Sequence, residues 1–175
     1  MTSPPFSIRP AKAEDAAQVS HLIGSTWSKF FAYSVSETDL EEYLSGPLSA
    51  PRIQADILDP SMRVLVAVES SGNIVGVAHL VIGQAPTCIT LPKPIGLRRL
   101  YVDSTHHGSG VAGALVQAVD TLSKKEGFES VWLGAWDQNA RGLRFYEKMG
   151  WKVVGETTFM VGKSVRRDFV LERSI

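Results

Sequence analysis

The composition of this chain suits one folded domain and excludes several classes of protein. Its 175 residues are 44 % hydrophobic, enough for a single sizeable core. Eighteen Lys and Arg residues are balanced by 18 Asp and Glu residues, so the basic excess of a nucleic-acid-binding protein is missing. The single cysteine, Cys88, excludes an intrachain disulfide and a Cys-rich metal site, and it is typical of a cytoplasmic protein. No apolar run approaches the ~20 residues of a membrane span, so no membrane association is expected.

The first third of the chain is predicted to contain one short strand and two or three helices. Residues 1–6 lack a signal-peptide pattern and are expected to form a flexible tail before a strand at 7–10. Helical spacing then predicts a long amphipathic helix on these apolar residues: Val19, Leu22, Ile23, Trp27, Phe30 and Phe31. Ser36 is a good N-cap for a second helix that ends at Gly46, and a further helical segment is predicted at 51–58.

Strands dominate the rest of the chain, with one strand–helix–strand unit among them. The predicted strands are 63–68, 74–82, 97–102, 130–136, 151–161 and 165–171, and the predicted helices are 109–126 and 139–149. The first two of these strands form a hairpin, and the last two form a closing antiparallel pair. This order predicts an α/β fold of the α+β type. It has a mixed, mostly antiparallel sheet of six or seven strands with helices on both faces, in one domain spanning 7–175.

A glycine-rich segment between a strand and a helix is the most informative part of the chain. Residues 108–113 read Gly-Ser-Gly-Val-Ala-Gly. A helix N-terminus attracts anions, and glycines let a phosphate approach the backbone, so a pyrophosphate is an expected ligand. Two other interpretations stay open: a plain tight turn, or the GxGxxG site of a dinucleotide-binding oxidoreductase. The second is weakened because residues 103–107 separate the strand from the first glycine.

The same segment resembles the acetyl-CoA motif of the GNAT N-acetyltransferases. The family pattern is Arg or Gln, two residues, Gly, one residue, then Gly or Ala; His107 takes the first position, and Gly110 and Ala112 fit the others. Residues 139–141 (Asn-Ala-Arg) and 145–151 (Phe-Tyr-Glu-Lys-Met-Gly-Trp) resemble the second family signature. The ending Phe-Met-Val-Gly at 159–162, with a later Asp168, is similar to the PaiA-type spermidine and spermine acetyltransferases. The resemblance covers most of the chain and implies the GNAT fold.

The resemblance implies acetyl-CoA as the cosubstrate and assigns residues to its binding. The strand at Leu100, Tyr101 and Val102 is expected to splay at a bulge and to pair its backbone with the pantetheine arm. A backbone N–H near Leu100 would face the thioester oxygen. Asn139 would bind the pantetheine arm, and Lys148 the 3′-phosphate. The pyrophosphate would lie on a loop of six residues: His107, Gly108, Ser109, Gly110, Val111 and Ala112.

Tyr146 is implied as the general acid that protonates the departing sulfur. From the residue pattern alone, Tyr146 is typical of a helix core, Asn139 of a helix cap and Lys148 of a solvated charge. Only the family resemblance favours their functional roles. No cysteine lies in the motifs, so direct transfer of the acetyl group to a primary amine is expected rather than an acetyl-enzyme.

No general base can be carried over from the family. Many relatives have a glutamate in a Glu-Leu-x-Arg arrangement, where this chain reads Gly-Leu-Arg-Arg from Gly96. His79 could take the amine proton directly or through water, although a strand histidine is more often a packing residue. His106 and His107 are equally consistent with polar loop groups. Ordered water, or an amine that arrives neutral, would also suffice.

The sequence leaves the acetyl acceptor open among small amines, amino acids, polyamines, aminoglycosides and the lysine or N-terminus of a protein or peptide. An acidic run would suit a polyamine but is typical of a solvated helix face: Glu37, Asp39, Glu41 and Glu42. An arginine such as Arg98 in the acceptor site would instead favour a carboxylate. Four aromatic residues could line an acceptor pocket: Trp27, Phe30, Phe31 and Tyr33.

Two further interpretations concern the protein as a whole. The missing glutamate favours an alternative to the enzyme, a non-catalytic CoA-binding regulatory protein on the same fold. The C-terminal strands are predicted to leave an exposed sheet edge, which would allow a homodimer.

Overall fold

A computed structural model describes residues 5–175 and shows a single seven-stranded sheet in the order β1-β2-β3-β4-β5-β7-β6. Only the β4–β5 pairing is parallel within these residues. The strands are β1 Phe6–Pro10, β2 Met62–Glu69, β3 Ile74–Val81, β4 Pro94–Val102, β5 Ser130–Trp136, β6 Lys152–Val161 and β7 Ser164–Ser174. The predicted mixed, mostly antiparallel sheet is confirmed, and the doubly wound parallel sheet of the dinucleotide-binding alternative is wrong.

Helices cover both faces of the sheet and create two apolar layers. The helices are α1 Ala16–Phe30, α2 Glu37–Ser45, α3 Ala50–Leu58, α4 Val111–Lys125 and α5 Ala140–Lys148. Helices α1 to α3 pack against one face, where Trp27, Ile53 and Val77 are buried. Helices α4 and α5 pack against the other face, where Leu115 and Leu133 are buried. We call these the α1–α3 face and the α4–α5 face. None of the helices in residues 5–175 is long and apolar enough to cross a membrane.

The element boundaries follow local chemistry, with small differences from the predictions. Strand β1 starts at Phe6, inside the expected tail, and residues 1–4 lie outside the described residues. Helix α1 begins only at Ala16, after a 3-10 turn at Ala13–Asp15. Ser36 caps α2 as predicted, because its hydroxyl accepts a hydrogen bond from the Asp39 N–H at 3.1 Å.

Strand β4 contains a bulge and then separates from β5. The register of β4 on β3 passes from Leu80–Leu97 to His79–Arg99, so Arg98 is the extra residue. On its other edge, β4 pairs with β5 only from Pro94 to Gly96. The two strands therefore diverge beyond this point, and we call the opening the splay. A splay at a bulge in this strand was predicted.

Asp39 joins α2 to the turn between β6 and β7. Its carboxylate accepts hydrogen bonds from the Ser164 hydroxyl and the Lys163 N–H. The Ser164 bond, followed by the Lys163 bond, lowers the pKa of Asp39 to about 2. This member of the predicted acidic run is thus structural, whereas Glu37, Glu41 and Glu42 are exposed.

Replacing Asp39 by Asn is expected to lower the melting temperature in a pH-dependent way. The ionised carboxylate stabilises the fold above its unfolded pKa of about 3.8, and this stabilisation is lost as pH falls through about 2. The difference between wild type and D39N should therefore be full at pH 6 and shrink below pH 4, measured by thermal unfolding. Glu41→Gln, on the exposed face of the same helix, is the control. A difference independent of pH would contradict this assignment.

Replacing Gly76, even by alanine, is expected to lower the free energy of unfolding. A Cβ at Gly76 would lie 2.8 Å from Val111 Cγ1 and 2.9 Å from Leu115 Cδ1, both in α4. Because the core is close-packed, Gly76→Ala should destabilise the protein by about 1–3 kcal/mol. Gly113→Ala in α4 meets no atom within 4 Å and should be neutral or stabilise by up to about 1 kcal/mol. Denaturant unfolding of both variants checks this, and equal effects would show that the α4 contact is not tight.

Candidate active site

The splay leaves two strand edges without a partner in the middle of the sheet. Beyond Gly96 on β4 and Trp132 on β5, the facing backbone groups have no strand to pair with. The side chains of Leu100 and Val102 pack toward the α4–α5 face, and that of Tyr101 toward the α1–α3 face. These three residues therefore offer backbone to the opening. Unpaired backbone groups inside a sheet need a partner, and an extended ligand can supply one.

The glycine loop follows β4 and leads directly into α4. Gly108 and Gly110 have φ angles of 84° and 89°, a left-handed conformation that disfavours side chains, and a Cβ at either would meet no atom within 4 Å. Gly110 is the N-cap of α4. Five N–H groups find no backbone acceptor within residues 5–175: those of Gly108, Gly110, Val111, Ala112 and Gly113. Free N–H groups at a helix N-terminus can attract an anion, and the pyrophosphate site in this loop stays a prediction.

His107 connects the glycine loop to α5 through its side chain. Its Nε2 lies 3.1 Å from the Val102 carbonyl oxygen, and its Nδ1 lies 2.7 Å from Nη1 of Arg141. The carbonyl requires a proton on Nε2 and the guanidinium requires a lone pair on Nδ1, so this geometry fits the neutral ring. Both ring nitrogens are therefore occupied, and His107 can offer only its backbone to a ligand in the loop.

Helix α5 carries the second predicted group of residues. The Asn139 side chain accepts a hydrogen bond from the Gly142 N–H at 3.0 Å and caps the helix. Ser109 and Lys148 are exposed, and Lys148 forms no ion pair within residues 5–175. Lys148 thus remains free to bind an anionic group near the end of α5.

Tyr146 lies on the inner side of α5, on the α4–α5 face. Its ring packs edge-on against Trp151 and Phe145, with ring centroids 5.7 and 5.5 Å apart. Burial raises the pKa of Tyr146 to about 12, so the phenol is protonated at neutral pH. A protonated phenol on this side of α5 is suited to donating a proton.

His79 is part of a buried charged cluster beneath the bulge of β4. Its Nδ1 lies 3.0 Å from Nη1 of Arg99, and its Nε2 lies 3.1 Å from Sδ of Met62. Asp56 of α3 balances the Arg99 charge at 3.3 Å and also pairs with Arg52. Burial, then the charge of Arg99, holds the pKa of His79 well below its usual 6.5. His79 therefore acts as a packing residue, which the sequence analysis favoured over a base.

His106 is also engaged, on the outer side of the glycine loop. Its Nε2 lies 2.8 Å from Oε1 of Glu69, and its Nδ1 lies 2.9 Å from the Thr105 hydroxyl. The three histidines considered as bases thus have both ring nitrogens occupied by protein groups.

The position of the missing glutamate is closed by an aromatic ring. A Cβ at Gly96 would lie 2.9 Å from Cε2 and Cζ2 of Trp132, its neighbour on β5. No side chain fits there unless the indole moves.

On the α1–α3 face beyond the splay, β5, β6 and β7 carry a group of charged and aromatic side chains around Arg166 and Asp168, which we call the cleft. Arg166 of β7 lies over four aromatic rings, at 4.3 Å from Trp136, 5.0 Å from Trp27, 5.5 Å from Phe31 and 5.9 Å from Phe159. Asp168, two residues along β7, is half-buried beside the exposed Gly134. No role was predicted for Arg166 or Asp168, although two residues that are two apart on a strand lie on the same face.

The aromatic residues of α1 are divided between this cleft and other contacts. Trp27 and Phe31 contact Arg166, whereas Phe30 packs against the His107 ring at 5.6 Å. Tyr33 is 77 % exposed at the cleft rim, with its ring 5.7 Å from Trp136.

Comparison with known proteins agrees with this architecture. The acetyltransferase (GNAT) family matches residues 25–151. Uncharacterised N-acetyltransferases of Mycobacterium tuberculosis and Mycobacterium bovis are 30 % identical over 161 residues, covering 92 % of this chain and 98 % of theirs. N-acetyltransferase family 8 member 2 of Rattus norvegicus is 31 % identical over 118 residues, covering 63 % of this chain and 51 % of its own.

Solved structures share the fold at low sequence identity. PaiA N-acetyltransferase of Thermoplasma acidophilum, in complex with coenzyme A, superposes with a TM-score of 0.78 at 22 % identity over the whole of both chains. A GNAT acetyltransferase of Staphylococcus aureus superposes with a TM-score of 0.73 at 16 % identity, over 97 % of this chain and 98 % of its own. With its splayed strands, its glycine loop and a family match over most of its length, this chain belongs to the GNAT family of N-acetyltransferases.

Proposed function

We propose that this protein binds acetyl-CoA in the splay and the glycine loop and transfers the acetyl group directly to a primary amine, with Tyr146 as the general acid. The observation that carries the proposal is two sets of unpaired backbone groups on one stretch of chain, one at the splay of β4 and β5 and one at the glycine loop and the N-terminus of α4. Bound coenzyme A in the structure of PaiA from Thermoplasma acidophilum supports the same cofactor here.

The residues fit the parts of acetyl-CoA in order along the opening. The backbone of Leu100, Tyr101 and Val102 would pair with the pantetheine arm as an added strand. The N–H groups of the glycine loop would bind the pyrophosphate. Asn139 at the start of α5 would contact the arm, and the exposed Lys148 would bind the 3′-phosphate. An N–H near Leu100 would face the thioester oxygen.

Tyr146 supplies the proton that the departing sulfur needs. The amine nitrogen forms a bond to the carbonyl carbon while the carbon–sulfur bond breaks, and the thiolate takes the phenolic proton. Since burial raises the pKa of Tyr146 to about 12, the phenol enters each turnover protonated. A non-catalytic CoA-binding protein would have no use for this proton donor.

The acidic run of α2 gives little support to a polyamine acceptor. Asp39 is held by Ser164 and Lys163, and the three glutamates are exposed on the helix surface. The acceptor class proposed at this stage is a primary amine of a small molecule or peptide. A homodimer through the exposed edge strand β6 stays a prediction, to be tested by sedimentation.

Acetyl-CoA and CoA are expected to raise the melting temperature, whereas NADH is not. A ligand at about 100 times its dissociation constant adds ~2.7 kcal/mol, several degrees for a domain of this size. Gly110→Ala should lose this shift because a Cβ would enter the phosphate loop. Gly72→Ala is the matched control, since Gly72 also has a left-handed φ of 88° with nothing within 4 Å of a Cβ, but lies in a distant turn. No shift of the wild type with either CoA species would overturn the cofactor assignment.

Tyr146→Phe is expected to lower kcat about 10²–10⁴-fold, as loss of a general acid does. The melting-temperature shift with CoA should stay unchanged, because the ring that packs against Trp151 is retained. Free-thiol release with a reactive amine measures the rate, and Lys125→Gln, at the exposed C-terminal end of α4, is the control. Unchanged turnover in Y146F would remove Tyr146 from the mechanism.

A further inference from the structure

Two opposite charges on β7 lack the partners that buried charges normally have. Arg166 is only 7 % exposed, yet it forms no hydrogen bond or ion pair within residues 5–175, and its Nε is buried without a partner. Asp168 is likewise without a hydrogen bond in this part of the chain, and its Oδ1 is fully buried. Buried charged groups in proteins are normally paired, so both groups are available to a ligand.

Their spacing leaves room between them. Residues two apart on one strand face have Cα atoms about 6.6 Å apart, and Arg166 and Asp168 form no ion pair with each other within the described residues. A small molecule that carries both an amine and a carboxylate could therefore place one group on each side chain.

Other parts of the chain contact β7 on either side of Asp168. At one end, Glu172 of β7 accepts hydrogen bonds from the Thr90 and Leu91 N–H groups, which holds the loop at 83–93 over the sheet. At the other end, Trp27 and Phe31 cover Arg166. Asp168 lies between these contacts, beside the exposed Gly134.

Resting on the proposed function, we propose that Asp168 and Arg166 form the acceptor subsite, in which Asp168 takes the proton of the acceptor ammonium and Arg166 binds a carboxylate of the same molecule. The substrate class is an amino acid, or a similar small molecule with a primary amine two or three bonds from a carboxylate.

Asp168 is placed to deliver an amine to the splay. It lies on the strand next to β5, paired with Trp136, and its carboxylate leans toward Gly134, where an added Cβ would lie 3.5 Å from Oδ2. The position of the usual glutamate is closed by Trp132, and His79 is held by Arg99 and Met62. Burial also raises the pKa of Asp168 to about 6, which makes it a stronger base than a surface aspartate but leaves it ionised at neutral pH.

The charges that face Asp168 come from two elements. Arg166 on its own strand favours the carboxylate, whereas Asp137, directly after β5, disfavours it. From β6, the residue paired with Asp168 is the uncharged Thr157.

The protons of the transfer balance with these groups. Asp168 accepts one proton from the ammonium, which leaves a neutral amine to attack the thioester carbon. The carbon–nitrogen bond forms and the carbon–sulfur bond breaks. Sulfur receives a proton from Tyr146, and the second proton lost by nitrogen restores the phenol through solvent. Asp168 then releases its proton to water.

Arg166 determines which amines are accepted. Its planar guanidinium is held in place by the surrounding rings, and such a group can bind a carboxylate with two parallel hydrogen bonds. Arg98 in the β4 bulge also forms no ion pair within the described residues, which adds positive charge to the same face. This arrangement repels a polycation such as spermidine.

The test compares amino acids with the amines that lack their carboxylate. Free-thiol release is measured with acetyl-CoA and each of the 20 common amino acids, with their decarboxylated amines, and with spermidine. At least one amino acid should exceed its own amine in kcat/KM by 10-fold or more. Turnover of the simple amines or spermidine without such a preference, or no turnover of any amino acid, overturns the subsite.

Variants separate the two roles. Arg166→Gln, with Arg166→Lys as a second variant in case the first does not fold, should raise KM for the preferred amino acid at least 10-fold and remove the preference over its amine. KM for acetyl-CoA should not change. Arg167→Gln is the control, because Arg167 is exposed and pairs with Asp137 and Glu156. Equal loss with amino acid and amine would mean that Arg166 is only structural.

Asp168→Asn should lower kcat/KM about 100-fold at pH 8, the loss of a general base. It should not lower the melting temperature above pH 6. The folded-state pKa is raised, so ionisation of Asp168 destabilises the fold as pH rises through about 6, and Asn avoids this. Glu156→Gln on neighbouring β6 is the control. Wild-type activity in D168N overturns the base assignment.

Failure of this proposal can be distinguished from failure of the proposed function. If the cofactor assignment were wrong, neither acetyl-CoA nor CoA would raise the melting temperature of the wild type. A protein that binds CoA and acetylates amines, but is indifferent to the carboxylate and to D168N, contradicts only the acceptor subsite.

Discussion

The separation of β4 from β5 is the constraint on which the rest of the site depends. Backbone N–H and C=O groups inside a sheet must find partners, and here two facing edges lose them after only three paired residues on each strand. The bulge at Arg98 turns β4 away while its other edge stays paired to β3 as far as Val102. The splay is therefore supported from one side and open on the other. A ligand that pairs with these backbone groups would become part of the sheet, and its reactive end would be accessible from both faces.

The two faces of the sheet then provide different chemistry to the same opening. Tyr146 approaches from the α4–α5 face, where burial keeps its phenol protonated. The charged cleft approaches from the α1–α3 face, where Arg166 and Asp168 lack partners. The bulge contributes to this division, because it sets Arg98 and Arg99 opposite the single residue His79. Arg99 is paired with Asp56 and is buried, whereas Arg98 forms no ion pair within residues 5–175. In the proposed reaction, the acid and the acceptor-binding groups therefore lie on opposite faces of the sheet.

Local signals made most of the fold predictable, and long-range contacts decided what was not. The Ser36 cap, the Gly72 turn and the glycine loop encode their own conformation, so their elements were found within a few residues. Strand β4 begins earlier than its apolar pattern indicated, because Pro94, Ile95 and Gly96 pair with β5, far along the chain. The glycine loop was predicted from its residue pattern, and the role of Tyr146 from the family resemblance. The hydrogen bonds of the His79 and His107 rings could not be predicted from the sequence, because their partners lie far away in the chain. These partners are Arg99, Met62 and Arg141. The cleft was not predicted for the same reason. An aspartate and an arginine on a strand are typical of surface charges, and only the folded structure shows the aromatic rings around them.

The contact between Gly96 and Trp132 has an evolutionary consequence. At the position where the family resemblance implies a glutamate, this chain has a glycine, and the space of its missing side chain is filled by the indole of Trp132 on the neighbouring strand. The two positions are therefore epistatic. A glutamate cannot return at residue 96 until residue 132 becomes smaller, and a smaller residue at 132 alone leaves a void in the sheet without restoring a carboxylate. We therefore expect each single substitution to be unfavourable and only the paired change to restore a carboxylate at residue 96.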